Sequence, residues 1–161
     1  MSRELPGLPP ALVERLRADR DGLDAGLGIL VCSMDEAGRP HPMMLSPLEI
    51  VALDARTLRV ATYADSRSTR FLDARGHVTV MFVDAGEAVY VKGAAWRLPP
   101  PAGFPGLARF EVRAIVVLED ATDAGLEGAA VIESGIRVRR PGVEPAEAFA
   151  LLQALASRED K

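Results

Sequence analysis

Positions 66–70 hold a run of hydroxyl and guanidinium side chains that could bind a phosphate group. The run follows a predicted strand and opens a predicted helix, whose first backbone N–H groups have no internal partners and carry positive potential. Ser66, Ser68 and Thr69 add hydroxyl donors, while Arg67 and Arg70 add charges that can each form two hydrogen bonds to a phosphate. An ordinary capped surface helix would show the same pattern, so this stretch by itself leaves both interpretations open.

The other candidates for chemistry are isolated residues. His41 and His77 are the only histidines, and no pairing of carboxylates gives them metal-ligand spacing, so we expect no metal site. His41 could donate a proton or make a polar contact in a site, or be a half-exposed strand residue, whereas His77 is expected to be solvated. Cys32 is the single cysteine, which excludes an intrachain disulfide, and its apolar neighbours predict a buried structural thiol.

A second basic cluster lies near the C-terminus. Arg137, Arg139 and Arg140 could contact an anion, such as the tail of a cofactor, or could be the solvated charges of an edge strand. The sequence leaves both interpretations open.

Composition limits the possible functions. The chain has 161 residues, of which 48% are hydrophobic and 26% charged, which indicates one folded domain over 1–161. A net charge of −4 and an aromatic content of 5% argue against nucleic acid as a partner. The sequence has no apolar run of membrane-spanning length and no signal-peptide pattern at its start, so we expect a cytoplasmic protein that binds no membrane.

Periodicity predicts a mainly β protein with flanking helices. We expect an N-terminal helical segment over 1–26, with its helix at Pro10–Arg20, then a barrel core over 27–120, and a C-terminal segment over 121–161 that ends in a helix at Glu144–Ser157. The core should hold six or seven antiparallel strands and one helix, Arg67–Arg75, because the turns have hairpin length.

Several details of these elements are also predicted from local sequence. The prolines at 40, 42 and 47 should make the second strand an edge or irregular strand, which Leu48–Leu53 continues. Gly93 should mark a bulge or a close approach of the backbone. In the C-terminal segment we expect a loop or short helix near 126–132, a brief strand at Ile136–Val138, and an apolar helix stripe that includes Phe149.

Some predicted strands are apolar on both faces, notably Ile29–Val31 and Val78–Val83. A single small barrel buries only its inner face. The outer faces therefore predict a homodimer.

The stretch from Gly28 to Trp96 resembles the FMN-binding split-barrel family of pyridoxamine 5′-phosphate oxidase-like proteins. The segments that carry the resemblance are an opening hairpin with an acidic turn and Gly-x-Pro (Ile29–His41), a third strand (Thr57–Tyr63), a Ser-Arg helix start (Ser66–Leu72) and a strand that ends in Gly-Ala-Ala (Val89–Ala95). The resemblance implies an antiparallel split barrel, a dimer, and a small-molecule substrate beside bound FMN.

The resemblance also implies roles for individual residues. The backbone of Met43, Met44 and Leu45 would face the flavin ring. His41 could lie beside that ring, or be an axial ligand if haem replaced the flavin. Thr62 and Tyr63 would lie near the ribityl chain, and Ser66, Arg67 and Ser68 would hold the phosphate. Ser68 stands where the family has a lysine, and Arg70 could compensate for that charge. Trp96 could cover an edge of the ring or be a packing residue.

Three functions remain open at this point. The first is an FMN-dependent oxidoreductase of unassigned substrate. Oxidation of pyridoxamine phosphate itself is not expected, because Glu87 and Ala88 replace the Arg-Gln pair of those oxidases and the chain ends in a helix. The second is a reductase that uses the deazaflavin coenzyme. The third is a non-enzymatic module, either a flavin or haem carrier or a barrel that has lost its cofactor, and Ser68 and Pro42 would favour this loss.

Overall fold

The computed structural model describes residues 2–20, 27–120 and 131–158, and these residues form one curled antiparallel sheet with three α-helices. The strands are β1 (Ser2–Leu5), β2 (Ile29–Met34), β3 (Pro40–Leu45), β4 (Ile50–Ala52), β5 (Thr57–Tyr63), β6 (His77–Asp84), β7 (Glu87–Leu98) and β8 (Leu107–Asp120). The helices are α1 (Pro10–Arg15), α2 (Arg67–Arg75) and α3 (Pro145–Ala156), and a 3₁₀ turn spans Pro47–Glu49.

The strand order shows why the sheet is curled. It runs β3-β2-β6-β7-β8-β5-β4, with β1 also paired to β8. Strands β3 and β4 lie at opposite ends of this order, yet only residues 46–49 join them. Four residues can span at most about 14 Å. The two ends of the sheet must therefore approach each other around the core.

The inner face of the sheet is mainly apolar. Along β2, buried and half-exposed residues alternate, so that Ile29 and Val31 have no exposed surface while Leu30 is partly exposed. The same alternation places Val80, Phe82 and Val91 in the interior. This period of two is the one that a half-buried strand requires.

The outer face carries a continuous apolar row across five strands. The strand registers place five side chains side by side, and none of them is buried: Met44, Leu30, Met81, Tyr90 and Leu118. We call these five residues the outer row.

Helix α2 begins and ends as predicted. The Ser66 hydroxyl accepts a hydrogen bond from the backbone N–H of Thr69 at 3.1 Å, which caps the first turn. Gly76 ends the helix with φ of +63°, a conformation that glycine adopts without steric cost. The Gly76 carbonyl accepts the N–H of Ala95 at 2.8 Å, so the end of the helix is joined to β7.

The predicted bulge at Gly93 is also confirmed. The register between β7 and β8 shifts between Lys92 and Gly93. A Cβ atom at Gly93 would lie 2.4 Å from the carbonyl oxygen of Arg113. The two strands approach so closely there that only glycine fits without a shift of the backbone.

The N-terminal segment is not wholly helical, which corrects the prediction for 1–26. Residues Ser2–Leu5 form β1 and pair with the far end of β8, with Leu5 opposite Val117. Helix α1 ends at Arg15 rather than Arg20. Four residues carry too little periodicity to predict a strand, and β1 exists because the fourteen-residue β8 extends beyond β5.

Further corrections concern strand number and local detail. The sheet has eight strands rather than six or seven, and residues Ile50–Ala52 pair with β5 instead of continuing β3. The predicted strand at Ile136–Val138 is a single bridge between Leu27 and Arg137. Of the predicted stripe on α3, Leu152 and Leu155 are buried, whereas Phe149 is 50% exposed. The predicted element near 126–132 falls mostly outside the described residues.

No helix among the described residues is long and apolar enough to cross a membrane.

Candidate functional site

A cleft of about 360 Å³ lies between the β2–β3 turn and the first turns of α2. It is lined by Asp35, Glu36, Ala37 and Arg39 from the turn, by His41 from β3, and by Arg67, Arg70 and Phe71 from α2. The predicted phosphate-binding arginines thus share one cleft with the predicted histidine, although 26 or more positions separate them in the chain.

The charges of this cleft are unevenly neutralised. Asp35 pairs with Arg39, whose Nε lies 2.8 Å from the carboxylate. The backbone N–H of Arg39, helped by its guanidinium, holds the pKa of Asp35 below its usual range against partial desolvation. In the described part of the chain, no hydrogen bond or ion pair engages the guanidinium of Arg67 or of Arg70. These two cations are therefore available to an anion, whereas the charge of Arg39 is offset by Asp35.

His41 is held from behind by Ser68. The imidazole Nε2 lies 3.2 Å from Ser68 Oγ, and the ring meets Phe71 edge-on at 4.9 Å between centroids. Ser68 is 8% exposed and does not line the cleft. The resemblance placed Ser68 at the phosphate, but in the structure His41 lines the cleft and Ser68 does not. The Ser68 hydroxyl instead orients the imidazole ring of His41.

The hydroxyl groups before and within α2 form a buried network. Thr69 Oγ1 donates to the carbonyl oxygen of Tyr63 at 2.7 Å and lies 2.5 Å from Thr62 Oγ1. Ser66 Oγ lies 3.1 Å from the same threonine oxygen. Thr62 and Ser66 therefore fix the junction between β5 and α2. Their hydroxyl oxygens are already hydrogen-bonded within the chain.

A backbone donor adds to the cationic wall. Arg67 is the first residue of α2, so its N–H group has no acceptor one turn earlier in the helix. It lies at the positive end of the helix dipole. A phosphate group bound here would meet two guanidinium groups and a helix start.

The other predicted ring contacts are distributed over both faces of β3. Met43 is half-buried against the core, Met44 is 47% exposed, and Leu45 is buried. Tyr63 is 62% exposed and lines a separate cavity of about 290 Å³ with Leu48, Phe104 and residues of α3. The structure thus brings His41, Arg67 and Arg70 together and leaves Tyr63 outside their cleft.

Two arginines of the C-terminal basic cluster are neutralised. Arg137 pairs with Asp84 at 2.9 Å, and Arg140 pairs with the buried carboxylate of Glu49. Arg139 is exposed. This favours a structural role for Arg137 and Arg140 over the predicted anion contact.

The remaining single residues lie away from the cleft. Trp96 is 40% exposed with the Arg113 guanidinium 5.9 Å from its ring, and His77 is exposed as predicted. Cys32 is half-buried rather than buried, because it lies on the outer face of β2. Among the described residues, no group of three or more His, Cys, Asp and Glu could hold a metal ion.

The donors of the cleft suit a phosphate group. Two unpaired guanidinium groups and a helix start are donors suited to a dianion. The opposite wall carries the exposed carboxylate of Glu36, so the cationic character is concentrated on α2.

Comparison with solved structures identifies the fold. A candidate pyridoxamine 5′-phosphate oxidase from Lactobacillus delbrueckii superposes with a TM-score of 0.57 at 14% identity, over 71% of this chain and 98% of that one. The HupZ protein of Group A Streptococcus has a TM-score of 0.55 at 14% identity, over 77% and 98%. An F420 reductase has a TM-score of 0.53 at 16% identity, over 70% and 98%.

The chain has a split-barrel fold. It is the fold of the pyridoxamine 5′-phosphate oxidase-like proteins, as the resemblance implied. No family model and no curated protein sequence matches the chain. At these identities the structural likeness of the split barrel establishes architecture alone.

Sequence reasoning missed half of the cleft. It treated residues 35–38 as a turn only, and it did not place Phe71 beside His41. The acidic residues before Gly38 were visible as a turn signal, but nothing local shows that this turn faces α2. Sequence reasoning also missed the buried arginines Arg59 and Arg109, which are 3% and 2% exposed.

Proposed function

We propose that this split-barrel protein binds FMN through the cleft at the start of α2 and acts as a flavin-dependent oxidoreductase. The observation that carries the proposal is the pair of unpaired guanidinium groups, Arg67 and Arg70, beside a helix N-terminus and His41. The fold of the neighbouring structures is consistent with a flavin-type cofactor.

In this proposal the protein binds and orients, while the flavin would supply the electron-transfer chemistry. Arg67 and Arg70 hold the phosphate by charged hydrogen bonds. The backbone of Met43, Met44 and Leu45 supports the ring, and Thr62 keeps the β5–α2 junction rigid through Thr69. No catalytic acid or base is assigned.

A titration with FMN tests the proposal. Flavin fluorescence should be quenched on binding, and riboflavin, which lacks the phosphate, should bind at least about tenfold more weakly, since a charged hydrogen bond contributes about 1.5–3 kcal/mol. A protein that takes up no FMN would refute the proposal.

Two alternative functions would be indicated by other outcomes of the ligand titration. Binding of the deazaflavin coenzyme in preference to FMN would favour a deazaflavin reductase, which the likeness to an F420 reductase also suggests as a candidate. Binding of flavin or haem without any turnover of electron donors would favour a non-enzymatic module.

We further propose that two copies pair through the outer row. Five apolar side chains lie side by side on a sheet face that is partly exposed among the described residues. Such a patch is the kind that marks an interaction surface. Sedimentation should give twice the chain mass of 17.2 kDa, and Met81→Asp should give the monomer mass. A wild-type protein that sediments as a monomer at micromolar concentration would contradict this.

A further inference from the structure

His41 is a titratable group inside the cleft that the proposed binding of phosphate does not yet use. Nε2 is occupied by the Ser68 hydroxyl, while no hydrogen bond within the described residues engages Nδ1. When Nε2–H donates to Ser68, Nδ1 carries the free lone pair and is the atom that accepts a further proton.

The groups around His41 determine how it responds to an anion. From α2 it faces the cations Arg67 and Arg70, with the uncharged Ser68 and Phe71. From the β2–β3 turn it faces Asp35 and Arg39, which pair with each other, and the carboxylate of Glu36.

Before an anion binds, the two unpaired guanidinium groups oppose a third positive charge in the cleft. A bound dianion reverses this, because its charge offsets both arginines and attracts a further cation. Binding and protonation then favour each other, as thermodynamic linkage requires.

We propose that the cleft binds a phosphomonoester together with one proton, which His41 takes from solvent. The imidazolium becomes the third cation of the site, and its Nδ1–H donates to the ligand. This inference rests on the proposed function for its physiological ligand, FMN, but concerns the phosphate group alone.

The sign of the pH dependence follows. Because the protonated form of His41 is favoured in the complex, affinity rises as the pH falls through the range in which histidine titrates, about pH 8 to 6. If binding raises the titration midpoint by about one pH unit, the affinities at the two limits differ about tenfold.

Proton NMR of the histidine rings tests this directly, because the chain has only two histidines. The His41 and His77 resonances are assigned with His41→Gln and His77→Gln and titrated from pH 5 to 9, with and without saturating FMN. We expect the His41 midpoint to rise by about half to one pH unit with FMN, while that of His77, which lies outside the cleft, stays fixed.

A variant titration provides the second readout. His41→Gln keeps a donor toward Ser68 but cannot take up the proton. Between pH 8 and pH 7 the phosphate of FMN is mostly dianionic. Over this range the affinity of the wild type for FMN should rise as the pH falls, whereas that of His41→Gln should not.

The outcomes separate this inference from the proposed function. If FMN binds and the His41 midpoint does not move, the inference is wrong and the proposed function stands. If FMN does not bind but inorganic phosphate raises the His41 midpoint, the inference holds and the flavin assignment fails. If FMN does not bind and inorganic phosphate does not shift the His41 midpoint, both are overturned.

Discussion

The guanidinium of Arg109 on β8 donates to the carbonyl oxygen of Ser157, just beyond the end of α3, at 3.1 Å. It also reaches Ala154, while Arg59 on the adjacent strand donates to Leu155 and pairs with Glu111. Two buried cations thus satisfy carbonyls at the negative end of a helix. They attach α3 to the barrel at its last turn, where the backbone carbonyls have no donor within the helix.

We expect Arg109→Met to destabilise the protein strongly. The change removes the buried guanidinium that donates hydrogen bonds to the carbonyls of Pro99, Ala154 and Ser157. The free energy of unfolding in urea should fall by about 3–5 kcal/mol. Arg113→Ala, on the exposed face of the same strand, is the control and should lower it by less than about 1 kcal/mol. Equal losses for both variants would rule out this role of Arg109.

Asp84 should make stability depend on pH. Burial opposes its ionisation, but the backbone N–H of Ala85 and the guanidinium groups of Arg137 and Arg15 outweigh this and lower the pKa below the ordinary 3.8. A lowered pKa contributes stability that is present above about pH 4 and is lost as the pH falls through the folded-state value.

Asp84→Asn should therefore cost about 1–3 kcal/mol at pH 7, and the difference from wild type should shrink toward pH 3. Urea denaturation at several pH values measures this. Asp73→Asn, which affects only the exposed pair with Arg97, is the control and should cost no more than about 1 kcal/mol. A difference for Asp84→Asn that stays constant down to pH 3 would contradict the linkage.

Arg67→Ala should weaken FMN and leave riboflavin unchanged. Loss of a charged hydrogen bond to the phosphate corresponds to about 1.5–3 kcal/mol, or about 10- to 100-fold in dissociation constant. Arg97→Ala retains both cleft arginines and should bind FMN like the wild type. If Arg67→Ala bound FMN with wild-type affinity, the phosphate would have to lie elsewhere.

Gly93→Ala should destabilise the sheet at its bulge. The added Cβ would lie 2.4 Å from the Arg113 carbonyl oxygen, and backbone cannot yield as a side chain can. Thermal and urea unfolding should show a loss of about 1–3 kcal/mol. Gly106→Ala is the matched control, because a Cβ atom at that position would meet nothing within 4 Å, and it should be close to neutral. If Gly93→Ala left the free energy of unfolding unchanged, β7 and β8 would have to separate easily at this position.

Local sequence was sufficient for the elements with a strong period or a clear cap. The strand Thr57–Tyr63, the Ser66 cap and the Gly76 end of α2 depend on a few neighbouring residues, so they could be predicted without the fold. Strand β1 could not, since four residues become a strand only when β8 offers them an edge.

The candidate site divides in the same way. The sequence by itself determined that Arg67 and Arg70 stand at a helix start, because three positions on a helix share one face. Only the tertiary structure decided that His41 completes their cleft, that Ser68 lies behind it, and that Arg137 and Arg140 are neutralised. Those contacts join segments far apart in sequence, and they depend on how the sheet curls, which no local pattern encodes.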